Sequence, residues 1–210
     1  MKVAFIIAHP DDEVLGVGGT IARHTQQNDQ VVVIVATVAR YGRPTLDLVR
    51  ASATELGVND IRALGLPYMD LARDPLKLAQ SIEPIIVAFQ PEAVYTHWHG
   101  DLNSDHRAIA QAVLVACRPI GNHAPRRVLE FETPSSTEWS FSESFRPTIF
   151  IDIEATLPAK LAAFLHYTDE MRDPPHPRSV SCLEARARYW GQIAGLVAAE
   201  PFVLVREVVR

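Results

Sequence analysis

The chain has 210 residues, 48% apolar and 21% charged, enough to bury a sizeable core as one domain spanning 1–210. Its net charge of −5 and pI near 5.9 exclude a general polyanion binder, and it lacks the aromatic-basic platform of a nucleic-acid-binding protein. No apolar run approaches the roughly 20 residues of a membrane span, and Cys117 and Cys182 are too far apart for a CxxC site or a disulfide framework.

In chain order, Lys2 precedes a continuous apolar run, Val3 to Ala8, that reads as a buried parallel strand. The run is shorter than the ~7–15 apolar residues of a signal peptide and ends in His-Pro-Asp-Asp, so it is expected to be mature sequence, with the cytoplasm as location. A helix is expected over Val14–Asn28 and a second buried strand over Val31–Ala36. Thr45–Leu56 reads as a helix ending at Gly57, a C-terminal cap. Ile61–Leu64 is a short strand, and Pro75–Phe89 a helix that Pro84 should kink or divide. Ala93–Thr96 is a strand and Ser104–Cys117 a helix. Beyond Pro119, strands are expected at 128–132 and 148–153 with an ordered loop over Thr133–Ser140 between them. Helices near 156–167 and 180–199 and a last strand, Phe202–Val208, follow. The alternation predicts an α/β fold: a Rossmann-like, doubly wound, mostly parallel sheet with a decorated C-terminal part.

In such sheets functional residues gather at the carboxyl ends of strands. The first strand ends in His9-Pro10-Asp11-Asp12-Glu13, and the strand ending near Thr96 runs into His97-Trp98-His99-Gly100-Asp101-Leu102-Asn103-Ser104-Asp105-His106. If those strands are neighbours, four histidines and five carboxylates converge. His9 and Asp12, three apart, bridge the strand end and the first helical turn, and His106 opens a later helix, giving three ligands for a catalytic Zn2+ that leaves a position for water. The same facial set accepts Fe2+. Asp11, beside a ligand, is placed to take a proton from water whose pKa a zinc ion lowers to about 7. Asp105 can hydrogen-bond a ligand histidine from behind. Glu13 can support the turn, since acids in a first helical turn are also favoured by the helix dipole alone.

The Ala8-His9-Pro10-Asp11-Asp12-Glu13 segment after an N-terminal strand, with Asp105-His106 about a hundred residues on, resembles the PIG-L/LmbE-like zinc-dependent deacetylases. The first segment matches the family's signature at all six positions; the second matches in part. Pro134–Trp139 and Pro175–Ser179 also resemble segments of a bacterial subgroup carrying D-L-N-x-D-H. The resemblance implies hydrolysis of an N-acetyl group on an amino sugar or its conjugate. It also implies His9, Asp12 and His106 as ligands, Asp11 as base, and relatives that are often homo-oligomers. Many members carry a histidine where this chain has Asn103, which can donate a hydrogen bond to an oxyanion but cannot give up a proton. His97, His99 and His176 are the further groups that can protonate a leaving amine. Arg40, Tyr41 and Arg43 after the second strand, with Asp70, Asp101, Glu138 and Trp139, are expected among the substrate contacts. Two other functions stay open: a hydratase or lyase of the same fold acting on an unsaturated carboxylic acid, and an inactive metal- or sugar-binding module.

Overall fold

The computed structural model describes residues 1–40, 43–120 and 124–209. Its strands are β1 (Lys2–Ile7), β2 (Gln30–Val35), β3 (Ala39–Arg40), β4 (Arg43–Pro44), β5 (Asp60–Ala63), β6 (Ala93–His97), β7 (Arg127–Phe131), β8 (Ile149–Asp152) and β9 (Ala199–Glu207). The helices are α1 (Asp12–Gln26), α2 (Leu46–Glu55), α3 (Pro75–Phe89), α4 (Ser104–Ala116), α5 (Leu157–Phe164) and α6 (Val180–Ala194). Seven strands form one sheet in the order β5-β2-β1-β6-β7-β9-β8. The first five are parallel; β9 runs antiparallel to both β7 and β8. The short β3–β4 hairpin stands apart. This is the expected mostly parallel α/β sheet, and the C-terminal part continues it rather than decorating it.

Strand β1 is buried on both faces, and its alternate residues divide between two cores. Val3, Phe5 and Ile7 pack with residues of α1, α2 and α5, while Ala4, Ile6 and Ala8 pack with α3 and α4. The order of strands reverses at β1: β2 lies on one side and β6 on the other, with Ile7 opposite Val35 and Ile6 opposite Thr96. The carboxyl ends of β1 and β6 therefore lie side by side at the switch point, where an open sheet leaves a crevice.

Helix α1 is kinked at Val17 (φ −137°, ψ 15°). The turn contains Gly16, Gly18 and Gly19, and a Cβ on Gly16 would stand 2.5 Å from the Phe131 ring, so the helix approaches the sheet more closely than any side chain there permits. The kink leaves the Gly19 and Thr20 amides without their helical partners, and both donate to the carboxylate of Glu200 on β9, at 3.0 and 2.7 Å. The second part of α1 thus carries its own cap, made by a residue 180 positions away. Lys160 on α5 completes the arrangement, its Nζ 2.6 Å from Glu200 Oε1.

Some boundaries differ from expectation. Pro84 lies inside α3 without dividing it; it faces solvent, so the carbonyl that loses its partner opens to water. Helix α6 stops at Ala194, because Gly195 takes a left-handed conformation (φ 73°). The last strand begins at Ala199, three residues before the expected Phe202, with Pro201 inside it. No helix among the described residues is long and apolar enough to cross a membrane.

Replacing Glu200 with Ala leaves the Lys160 ammonium buried and unpaired and two amides unsatisfied. We expect a loss of about 3–5 kcal/mol in urea unfolding; a loss of about 1 kcal/mol or less, as for an exposed pair, would refute this account of the kink.

Candidate metal centre

At the switch point, Asp12 opens α1 and His106 lies in the first turn of α4, both 1% exposed, with His9 between β1 and α1. One ligand atom from each of the three lies within 4.8 Å of the others. The hydrogen bonds fix which atoms face inward. His9 Nε2 lies 3.0 Å from Asp105 Oδ2, and His106 Nδ1 lies 3.1 Å from Asp101 Oδ1. Both carboxylates only accept, so these ring nitrogens carry the protons and direct the lone pairs of His9 Nδ1 and His106 Nε2 toward one another at 3.3 Å. Two facing lone pairs repel unless a proton or a cation lies between them. Asp12 Oδ1 is 3.4 Å from His106 Nε2 and is a buried oxygen with no hydrogen-bond partner among the described residues. A tetrahedral zinc with ligands at about 2.0–2.1 Å spaces them about 3.3–3.4 Å apart, so these residues fit a small divalent cation.

The electrostatics agree. Burial works against the Asp12 charge, but the neighbouring His106, then His97 and His9, hold its carboxyl well below the usual range. Burial also opposes charging His106, yet Asp12 and Asp101 outweigh it and raise the ring to about 10. A cation taking the Nε2 lone pair must displace that proton. His97 behaves oppositely. Burial, then the neighbouring His106, lowers it to about 4. Its Nε2 accepts from the Ala8 amide at 3.0 Å, its Nδ1 lies 3.0 Å from Thr133 Oγ1, and its ring stacks on His106 with centroids 4.0 Å apart.

Asp11 and Glu13 flank the candidate ligand Asp12 in different ways. Asp11 adopts a left-handed conformation (φ 102°) that L residues avoid, and its side chain does not cap α1. The strained turn is held from below: Glu13 Oε2 accepts the Asp11 amide at 3.1 Å, and its Oε1 accepts from Ser52 on α2, at 2.9 Å, and from the Tyr167 hydroxyl. Burial lifts both carboxyls to about 7, Asp11 against the opposing charge of Arg178 and Glu13 against its hydrogen bonds. Arg178 Nη1 is 2.9 Å from Asp11 Oδ2.

Several residues expected at the site are placed elsewhere. Asp101, expected among substrate contacts, is 1% exposed and spent on His106, Ser136, Thr137 and the Asn103 amide. Glu138 accepts from the Ser135 and Ser136 amides and pairs with Arg186, fixing the 133–140 loop. His97 is sealed in the core, and the exposed His99 is tied to Glu130 on β7 at 2.6 Å. Asn103 caps α4 with its Oδ1 accepting from the Asp105 amide, leaving its NH2 group to donate. Asp105 bridges His9 to the Leu71 amide. Asp70 is exposed at the start of the following turn, near Arg73. Trp139 and His176 meet edge to face with centroids 5.8 Å apart. Tyr41 lies outside the described residues, and Arg40 and Arg43 are described in backbone only. Reasoning from the sequence misses Arg178, Tyr167 and Ser52, and also Tyr68, whose ring stands edge-on to His9 at 5.0 Å.

Comparison with known proteins places this arrangement among relatives. Residues 4–117 match the model of the PIG-L family, described as GlcNAc-PI de-N-acetylase. An uncharacterized deacetylase of Escherichia coli, YaiS, is 33% identical over 171 residues, 74% of this chain and 84% of that protein. A protein of Bacillus subtilis named probable N-acetyl-alpha-D-glucosaminyl L-malate deacetylase 2 is 34% identical over 131 residues; the match covers 54% of this chain and 59% of that protein, less than two thirds of its length. Among solved structures, the conserved protein TT1542 of Thermus thermophilus is 27% identical with a TM-score of 0.77, covering 99% of this chain and 96% of the other. The 4-carboxy-2-hydroxymuconate hydratase GalB of Pseudomonas putida shares the fold at 22% identity and TM-score 0.72, covering 100% and 98%. On its match to more than half of its length and its kinship with YaiS, the chain belongs to the PIG-L family.

Proposed function

We propose that the protein is a metal-dependent amide hydrolase that removes the acetyl group from an N-acetylated amino sugar or its conjugate. The observation that carries this reading is the buried His9–Asp12–His106 set, with its unpartnered Asp12 oxygen, next to a carboxylate that belongs to no ligand pair. The name of the Bacillus subtilis relative supports the substrate class, and that of YaiS the deacetylase activity. A divalent cation held by His9, Asp12 and His106, zinc or iron(II), would supply Lewis-acid polarisation of the acetyl carbonyl and acidify water.

The chain's own residues do the rest. Asp11 accepts a proton from the attacking water as the new C–O bond forms, and the same carboxyl returns it to the sugar nitrogen as the C–N bond breaks. The products are acetate and the amine. A carboxyl lifted by burial suits both halves of that transfer better than an ordinary one. His97 is unsuited to protonating the amine because both its nitrogens are engaged in the core. The NH2 group of Asn103 donates to the developing oxyanion. Asp105 and Asp101 orient the two ligand imidazoles, as carboxylates behind metal-bound histidines do. Trp139 and His176 offer the sugar an aromatic wall. The free thiols of Cys117 and Cys182 suit a reducing compartment, the cytoplasm.

Elemental analysis should find about one equivalent of divalent metal in the wild type, lost in folded Asp12→Ala and His106→Ala, and Asp105→Ala should weaken metal affinity by about 10–100-fold. Metal retained in Asp12→Ala and His106→Ala would remove the proposed site. Acetate release is then measured across N-acetylglucosamine, its L-malate glycoside and N,N′-diacetylchitobiose. Asp11→Asn should keep its metal and lose about 10²–10⁴-fold in rate; an undiminished rate sinks the mechanism. Hydration of an unsaturated carboxylic acid without acetate release from any amide would sink the function.

A further inference from the structure

Arg178 is the residue that joins the segment before α6 to the turn carrying Asp11. Its main chain is fixed: the next residue, Ser179, caps α6 by accepting from the Cys182 amide at 3.1 Å, and Arg178 itself donates its amide to His176 Nδ1 at 3.1 Å. The side chain is 18% exposed and held at three points. Nη1 is 2.9 Å from Asp11 Oδ2 and 2.7 Å from Glu170 Oε2, and Nε donates to Ser135 Oγ at 2.6 Å. A planar guanidinium so engaged has one orientation.

Asp11 has a competing use. It occupies the N-cap position of α1, where an aspartate ordinarily turns its carboxylate back to accept from the helix's first amides. Here it makes no such bond. Its carboxylate is drawn the other way, onto Arg178, and only Oδ2 is taken; Oδ1 makes no hydrogen bond among the described residues. We propose that Arg178 is a positioning residue: its ion pair keeps Asp11 out of the helix-capping rotamer and presents Oδ1 to the attacking water. Glu170 and Ser135 serve the same end by fixing the guanidinium. The inference rests on the hydrolase reading above and extends it to a residue remote in sequence from both signature segments.

The test uses the metal-loaded full chain and the N-acetylglucosamine compound, among those above, that it cleaves fastest. Arg178→Met should lower kcat by about 10²-fold, the cost of misplacing a reacting group by about 1 Å, with KM changed less than about threefold and metal content unchanged. Arg178→Lys, which keeps the charge, should recover part of the loss, and it carries the test if the methionine variant does not fold. Combined with Asp11→Asn, either substitution should cost nothing further, because the two residues act as a unit. An unchanged kcat in Arg178→Lys and Arg178→Met overturns the proposal. So does a loss confined to KM, which would make Arg178 a substrate contact, or a loss that multiplies on the Asp11→Asn background. A wild type that binds metal but releases no acetate overturns the function and this inference with it, whereas an active wild type with an indifferent Arg178 overturns the inference alone.

Discussion

Three consecutive acids, each no more than 2% exposed, lie in the turn from β1 into α1, and the surrounding structure is organised by what they require. A buried carboxylate without partners costs several kcal/mol, so each needs a separate answer. Glu13 is answered by hydrogen bonds from an amide, a serine and a tyrosine. Asp11 is answered by an arginine. Asp12 is answered by the His9 amide at 2.7 Å on Oδ2, while its Oδ1, 3.4 Å from His106 Nε2, has no hydrogen-bond partner among the described residues. The unanswered side is the one the proposed metal would take.

The sheet makes this placement reachable. Because the strand order reverses at β1, the ends of β1 and β6 are adjacent, and His9 and Asp12 meet His106 without either segment leaving its own strand–helix turn. The glycines of α1 and the kink at Val17 let that helix lie close to Phe131 while its first turn keeps the angle that Asp12 needs. His97, at the end of β6, fills the space beneath the centre as a neutral ring, stacked on one ligand and bonded to the strand that carries another. A protonated ring there would bring a second positive charge against the cation site.

What was legible in the sequence is what local pattern encodes. The apolar runs of β1, β2 and β6 and the polar clusters that end them give the parallel sheet and the candidate residues, while the adjacency of β1 and β6 comes from the structure. Asp101 shows where this stops. Its place among other polar residues suggested a substrate contact, yet the helix turn folds it behind His106, where Ser136 and Thr137 close over it. Arg178, Tyr167 and Ser52 reach the turn from three other elements; Arg178 lies in the Pro175–Ser179 segment that resembles the family, but its contact with Asp11 carries no local mark, and neither do Tyr167 and Ser52.

The carboxylate that caps the kinked helix bears on how the molecule comes to be made. Synthesis proceeds from the amino end, and domains generally acquire structure as units as the chain emerges. The helix bearing Asp12 leaves the ribosome well before β9, so the Gly19 and Thr20 amides meet their acceptor only when residue 200 arrives and β9 inserts between β7 and β8. The turn that holds the three acids is thus locked by a strand translated after both signature segments. A nascent chain can hold both signature segments and still lack the pin that sets their angle.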